Sequence, residues 1–378
     1  MKKTLCFLLF VLLILSFPLH ANAANKNDYY SEQFKQSGAE ELPDYLPNDT
    51  RKAMDNLGID GADWGGIASI TPENIFQQIV SMLSSNFTDP FKAAVSAIAV
   101  MLLCALLNGM KLSFGERPMG GVVGMVGALC ICSVIVQPIV ACIANSAEII
   151  KAAAGFLLAC VPIMAGIMIA AGQPVSAGSY NILMIAAGNT ISLLAANIFV
   201  PMLNIFLALS IVSAVSPNIN LSGLCGVVSK LVKWTLTFCM TVFTGLLTVQ
   251  GIVSAALDGA GSKTAKFVLS SFVPVVGNAL GEAVGTISGC VKLLKSGVSA
   301  FGLLAGFFIF LPVIIQCLMW MVTTNVCAGI SDIFDQKEIS SLLRSCSGVL
   351  GTTLAIILSC MTVITVSTVI LLIIGGVS

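Results

Sequence analysis

The sequence predicts an all-α protein, a polytopic membrane helix bundle of about seven spans with a small extracytoplasmic segment at its N-terminus. The first observation is composition: 57% of the 378 residues are hydrophobic and only 10% are charged, with a mean hydropathy of +0.99. Soluble domains carry about a quarter charged residues, so a water-facing globule is excluded. The second observation is a series of apolar runs of about 20 residues, the length that crosses a bilayer.

Residues 1–23 have the form of a signal peptide. Lys2 and Lys3 precede an apolar core from Leu5 to Phe17, and Ala21-Asn22-Ala23 provides the small residues of a cleavage site. We expect cleavage after Ala23, with an uncleaved first helix as the alternative. In both cases the residues that follow are predicted to be extracytoplasmic, at a bacterial cell membrane.

Residues 24–90 are predicted to form an acidic extracytoplasmic segment, since eleven acids face four bases between residues 25 and 90. A short helix is expected from Thr50 to Leu57. Thr71-Pro72-Glu73 reads as the start of a second helix, with a proline in the first turn and an acid near the N-terminus. This helix places apolar residues on one face, namely Ile75, Ile79, Leu83 and Phe87. It either lies at the membrane surface or on a partner as a lead-in helix, or it forms a small local core.

The membrane domain is predicted to occupy residues 91–378. Its seven spans are expected at 91–109, 121–143, 152–171, 181–214, 233–253, 298–323 and 349–375. The fourth is long enough to tilt strongly or to break at Pro201. With an external N-terminus, loops 110–120, 172–180 and 254–297 are expected to be cytoplasmic, which the distribution of lysine and arginine favours only slightly.

An additional apolar stretch at 267–290 either crosses the membrane or re-enters it. Four lysines flank it and serve as candidate charges at a cytoplasmic mouth: Lys263, Lys266, Lys292 and Lys295. A re-entrant hairpin keeps all four on one side, so we favour re-entry. Its candidate interface or path-lining residues are Pro274, Gly277, Gly281, Glu282, Gly285 and Gly289.

The glycines of this stretch recur every four residues, which lines one helix face with small residues and lets another backbone approach closely. This face is either a subunit interface or ordinary internal packing. Glu282 is the acid placed most clearly within an apolar segment, where a carboxylate is costly unless it is paired or faces water. It is a coupling-ion site, the structural partner of Lys292 or Lys295, or a carboxylate that extends to the water at the mouth of a hairpin, and the last two readings are favoured.

Enzymatic function is not expected. The single histidine, His20, lies in the signal peptide, which leaves no imidazole for acid–base chemistry or metal binding. The sequence contains no CxxC pair and no GxxxxGK[ST] phosphate loop. We therefore predict no catalytic residue, no metal, no cofactor and no binding of nucleic acid.

Two stretches resemble a known family: LPDYLPNDTRKAMDNLGID, beginning at Leu42, and SKTAKFVLSSFVPVVGNALGEA, beginning at Ser262. Both are similar to segments of the stage III sporulation protein AE family, multi-pass membrane proteins of endospore-forming bacteria. The resemblance covers essentially the whole chain in order and length. Its most specific part is the segment from Lys263 to Glu282.

The resemblance implies a component of a channel or secretion-like complex in the mother-cell membrane that surrounds the forespore. The implied partners are the other membrane proteins of the same operon, its ATPase, and stage II sporulation protein Q on the forespore side. Further copies of the chain and the lipid bilayer are also expected partners. The family has no defined catalytic residues to carry over. The alternative function is a secondary transporter with an ion-coupled site near Glu282.

Overall fold

The structure is a computed structural model that describes residues 32, 34–59, 61–62, 72–114, 120–215, 221–272 and 277–374. The side chains of 72, 110–114, 120–121, 196, 214, 222, 255, 260–272, 277–288 and 370–374 lie outside this description. Within the described residues every regular element is helical. A 3-10 helix, Ala39–Tyr45, precedes nine α-helices: α1 Asn48–Asp55, α2 Pro72–Asn86, α3 Thr88–Phe114, α4 Gly120–Ala170, α5 Pro174–Leu194, α6 Val200–Val215, α7 Ser222–Phe272, α8 Gly277–Ile333 and α9 Lys337–Ile374.

The helices form a long bundle around α4, α8 and α9. Helices α8 and α9 form an antiparallel hairpin with the most extensive contact in the chain, and α4 packs against both. Helices α2 and α3 lie on one side of this central group, and α5, α6 and α7 lie on the other. Aromatic side chains fill the centre, where Phe156, Phe301 and Phe308 are almost completely buried.

Helix α4 is one uninterrupted helix of 51 residues. The prediction of two separate spans at 121–143 and 152–171 is therefore wrong. The intervening residues are polar but contain no glycine or proline, and Asn145 donates a hydrogen bond to Gln316 of α8 across the helix pair. Polarity alone does not end a helix whose backbone groups are satisfied internally. The prediction placed the segments 110–120 and 172–180 together on the cytoplasmic side because it counted two spans between them. With one helix between them, that reason no longer applies.

Six helices of the described part are long and apolar enough to cross a membrane. They extend over Glu73–Gly109, Val122–Ala170, Pro174–Ser213, Gly223–Gly259, Gly289–Ile333 and Lys337–Val369. The difference from the predicted seven spans comes from the fusion of two of them in α4. A 51-residue helix measures roughly 76 Å, more than twice the hydrocarbon thickness of about 30 Å.

The predicted fourth span remains helical through Pro201. A π-helical segment, Ala195–Phe199, joins α5 to α6 immediately before this proline. Proline has no backbone N–H to donate, and the wider turn absorbs that loss without separating two half-helices.

The N-terminal segment packs onto the bundle. Its short helix, predicted from Thr50 to Leu57, is α1. Leu42 and Met54 are buried, and the Thr50 hydroxyl donates to the carbonyl of Phe308, 258 residues later in the chain, at 3.5 Å. The charges of this segment face outward, as in the exposed ion pair between Arg51 and Asp44 at 2.9 Å.

Helix α2 begins at Pro72, as the proline and acid of its first turn predict. The residues of the predicted apolar stripe have two different environments. Ile75 and Ile79 pack against the core, whereas Leu83 and Phe87 are exposed. Only Phe87 separates α2 from α3, and the Phe91 N–H donates to the Phe87 carbonyl at 3.1 Å, so the two helices form one nearly continuous rod.

Candidate functional site

The turn from α4 to α5 is the point where three helices meet. Gly172 adopts a positive φ of 77°, and the Gln173 N–H donates back to the Met168 carbonyl at 2.9 Å, which ends α4 in a left-handed cap. Pro174 then starts α5. The residue before it, Gln173, makes no side-chain capping bond, so the first N–H groups of α5 have no local acceptor.

Asp258 of α7 supplies that acceptor. The Val175 N–H donates to its Oδ1 at 3.0 Å, and the Ser176 N–H donates to its Oδ2 at 2.8 Å. The carboxylate is 7% exposed, so these bonds form away from bulk water. A negative charge at a helix N-terminus also interacts favourably with the helix dipole. Asp258 therefore ties α7 to the start of α5.

Lys295 of α8 reaches the same turn. Its side chain is 4% exposed, and its Nζ donates to the Gln173 Oε1 at 3.3 Å. No carboxylate of the described residues lies within 4 Å of this ammonium group. The hydroxyls of Ser176 and Ser299 are also buried, and neither has a hydrogen-bond partner among the described residues. A buried ammonium group with one neutral hydrogen-bond acceptor is unusual, because the free energy lost on removing the charge from water is only partly recovered.

The polar contacts continue one turn further along α5. The hydroxyl of Ser179 accepts hydrogen bonds from Gln250 at 3.0 Å and from Ser254 at 2.9 Å, both on α7. Together with Gln173, Ser176, Asp258 and Lys295, these residues form what we call the polar junction. Among the described residues, no cluster of three or more histidine, cysteine or acidic side chains has the arrangement of a metal site.

The polar junction marks the base of the stretch that resembles the sporulation family. Helix α7 continues past Asp258 for 14 residues, to Phe272, and α8 runs for 18 residues from Gly277 to Leu294, just before Lys295. Because Asp258 and Lys295 both hold the 173–176 turn and only four residues link the helices, the two arms run antiparallel. Each arm is about 20 to 27 Å long.

The predicted site residues are thus only partly described. Lys263 and Lys266 lie on the helical backbone of α7, and Gly277, Gly281, Glu282 and Gly285 lie on that of α8, with their side chains outside the description. Pro274 lies outside the described residues. Gly289 has open space around the position of a Cβ.

The last two predicted lysines differ from each other. Lys292 is exposed, whereas Lys295 is buried against Gln173 and does not present a charge to solvent.

The sequence analysis assigns no role to Asp258. One signal was available. Pro174 indicates the start of a helix, but the capping position before it is Gln173 and not serine, threonine, aspartate or asparagine. A helix start without a local cap leaves its first N–H groups to water or to a distant acceptor, and sequence alone does not identify which one.

Six helices of the described residues are long and apolar enough to cross a membrane, which indicates a membrane protein. The family model of stage III sporulation protein AE matches residues 63–375. The chain therefore belongs to the stage III sporulation protein AE family.

A curated relative, stage III sporulation protein AE of Bacillus subtilis (strain 168), is 24% identical over 237 residues. This match covers 63% of the chain and 59% of the relative, so the chain spans about three fifths of the relative's length. No solved structure matches the chain.

Proposed function

We propose that this chain is a non-enzymatic component of a channel or secretion-like complex in the mother-cell membrane around the forespore. The observation that carries the proposal is the family match over residues 63–375. The sequence has no phosphate-binding loop and no histidine beyond His20, which fits a division of labour in which a separate ATPase supplies the energy. Its partners are the membrane proteins of the same operon and stage II sporulation protein Q on the forespore side.

Within this function, the polar junction holds the helical arms that carry the family-specific segment from Lys263 to Glu282. Asp258 and Lys295 lie at the base of the two arms, and both form hydrogen bonds with the turn at residues 173–176. Their role is to fix the direction in which the arms leave the bundle. A partner that contacts the arms then finds them already in one orientation, so less conformational entropy is lost when the complex forms.

The test is complementation in an endospore-forming host that lacks its own family member. The wild-type chain should restore a forespore-specific transcription reporter and heat-resistant spores. Asp258→Asn should lower both, although the variant reaches the membrane in normal amount. Asp89→Asn, an exposed acid in the first turn of α3, is the matched control and should behave like the wild type.

A second measurement tests the assignment to a complex. The tagged wild-type chain should co-purify with the other membrane proteins of its operon. Transport of a defined solute by the purified chain alone would contradict the proposal and favour a self-sufficient transporter.

A further inference from the structure

Helices α5, α7 and α9 form an apolar groove at the side of the bundle. Its volume is about 270 Å³. The side chains that line it include Leu183 and Leu194 of α5, Leu236 and Leu246 of α7, and Cys360 of α9, and none of the lining side chains is charged. The groove therefore has the chemistry that suits a hydrocarbon chain.

The groove follows the axis of α7. The hydroxyl of Ser254 donates to Ser179 at 2.9 Å near the polar junction, and the groove begins further from the junction, at Leu246 of α7. It extends back along α7 to Leu236, a distance of about 15 Å. The end at Leu236 is thus the one remote from the polar junction.

Two lysines lie at this remote end of the groove. Lys233 precedes Leu236 by three residues, about 4.5 Å along the helix axis, and Lys230 lies one turn before it; both are exposed. Lys233 is also two turns before Met240, a lining residue, and so shares its face of α7. Neither ammonium group has a carboxylate within 4 Å among the residues that the structure describes. The apolar groove therefore ends at two positive charges.

An exposed tryptophan connects the lysines to the groove wall. Trp234 is 67% exposed and stacks on Phe238, with 5.7 Å between the ring centroids, and Phe238 lines the groove. Tryptophan is enriched at membrane–water interfaces, and lysines near the ends of spans extend their ammonium groups to the same depth. This end of the groove therefore has the residues typical of the layer that holds lipid headgroups.

The length of α7 beyond Lys233 matches the thickness of a bilayer. The 24 residues from Trp234 to Leu257 contain no charged side chain. As a helix they measure about 36 Å, slightly more than the hydrocarbon core of about 30 Å. When this stretch spans the membrane, Lys233 lies at the depth of the headgroups and the groove extends from that depth into the hydrocarbon.

A second helix carries exposed charge at the same height. The hydroxyls of Ser229 and Thr352 form a hydrogen bond at 3.2 Å, and the next residue of α9, Thr353, lines a small cavity together with Ile150 of α4. Lys151, which follows Ile150, is exposed and therefore lies nearly level with Lys230. Charges at one height on two helices support the placement of a membrane surface there.

We propose that the groove binds one anionic glycerophospholipid, with its phosphate between the ammonium groups of Lys230 and Lys233 and an acyl chain along the groove. The chain of any lipid can fill an apolar groove, but the two lysines at its end select a negative headgroup. Each lysine near a membrane surface strengthens the binding of anionic lipid by about fivefold, so the pair gives a preference of about 30-fold over a zwitterionic lipid.

The headgroup is tested by native mass spectrometry of the purified full chain in detergent, after incubation with equal amounts of phosphatidylglycerol and phosphatidylcholine that have identical acyl chains. The wild-type chain should retain one phosphatidylglycerol, preferred over phosphatidylcholine by about 30-fold. Changing both Lys230→Gln and Lys233→Gln should lower this preference to about one. The matched control changes Lys151→Gln and Lys337→Gln, which removes the same charge from two exposed lysines outside the groove and should leave the preference intact.

The acyl chain is tested by filling the groove. Ala186 lines the groove and is exposed, so Ala186→Phe should occupy part of its volume without disturbing the core. This variant should retain several-fold less phosphatidylglycerol than the wild type. The matched control is Ala141→Phe, at an exposed alanine of α4 outside the groove, which should retain the wild-type amount.

Loss of retained phosphatidylglycerol in both the lysine variant and Ala186→Phe, with both controls unchanged, would support the proposal. Equal retention of the two lipids by the wild-type chain would overturn it, since the groove would then hold hydrocarbon without regard to the headgroup. An unchanged preference in the lysine variant would overturn it as well. Normal retention by Ala186→Phe would place the lipid at the surface lysines and not in the groove, and retention of neither lipid by the wild-type chain would show that there is no such site.

Discussion

Asp258→Asn removes the charge that caps α5 from 82 residues away. In the structure the carboxylate accepts two backbone N–H groups at 3.0 and 2.8 Å while 7% exposed. Hydrogen bonds to a charged group each contribute about 1.5 to 3 kcal/mol. Asparagine keeps one acceptor oxygen, so one bond survives without its charge. The expected loss in the free energy of unfolding is about 2 to 3 kcal/mol.

The measurement is unfolding of the purified chain in mild detergent by titration with sodium dodecyl sulfate, followed by tryptophan fluorescence and helical circular dichroism. Asp89→Asn is the matched control, because Asp89 is an exposed acid at the start of α3. An exposed helix-start acid contributes under about 1 kcal/mol. Equal losses in the two variants would refute the argument that the buried capping contact stabilises the fold.

Three further outcomes follow from the packing, each measured by the same titration. Lys295→Met should leave stability unchanged or raise it, because it removes a buried charge at similar volume; a loss above about 2 kcal/mol would contradict this. Gly127→Ala should destabilise, since its Cβ would lie 2.6 Å from the Cys104 sulfur, whereas Gly155→Ala on the same helix meets nothing within 4 Å and should stabilise by about 0.5 to 1 kcal/mol. Leu42→Ala should cost about 2 to 5 kcal/mol, because the side chain is fully buried, and unchanged stability would show that the N-terminal segment is not part of the core.

Much of the fold follows from the apolar pattern. The helical class, the position of most spans and the start of α2 at Pro72 were predictable, because each depends on local composition and on residues with a fixed backbone preference. The fusion of two spans in α4 was not. The polar residues around Asn145 look like a loop when read alone, but they contain no glycine or proline, and the side chain of Asn145 donates to Gln316, which is 171 residues away.

The candidate site was harder to predict than the fold. The sequence singled out the stretch between Lys263 and Glu282, and the structure places the polar junction at its base. Lys295 was predicted as a candidate charge at a cytoplasmic mouth, and in the structure it is buried and donates to Gln173, 122 residues away. Contacts of this kind join segments far apart in the chain. The periodicity and spacing of residues along the sequence therefore do not predict them.

The docking of the N-terminal segment onto α8 has a consequence for biosynthesis. Thr50 and the carbonyl it contacts are separated by 258 residues. At about 5 to 20 residues per second, synthesis of the intervening chain takes roughly 13 to 50 s. During that time Met54 of α1 has emerged, but the part of α8 on which α1 packs has not. The docking of α1 therefore waits for the synthesis of α8, whereas the 3-10 helix Ala39–Tyr45 can pack on α4 much earlier, so the N-terminal segment docks in two stages.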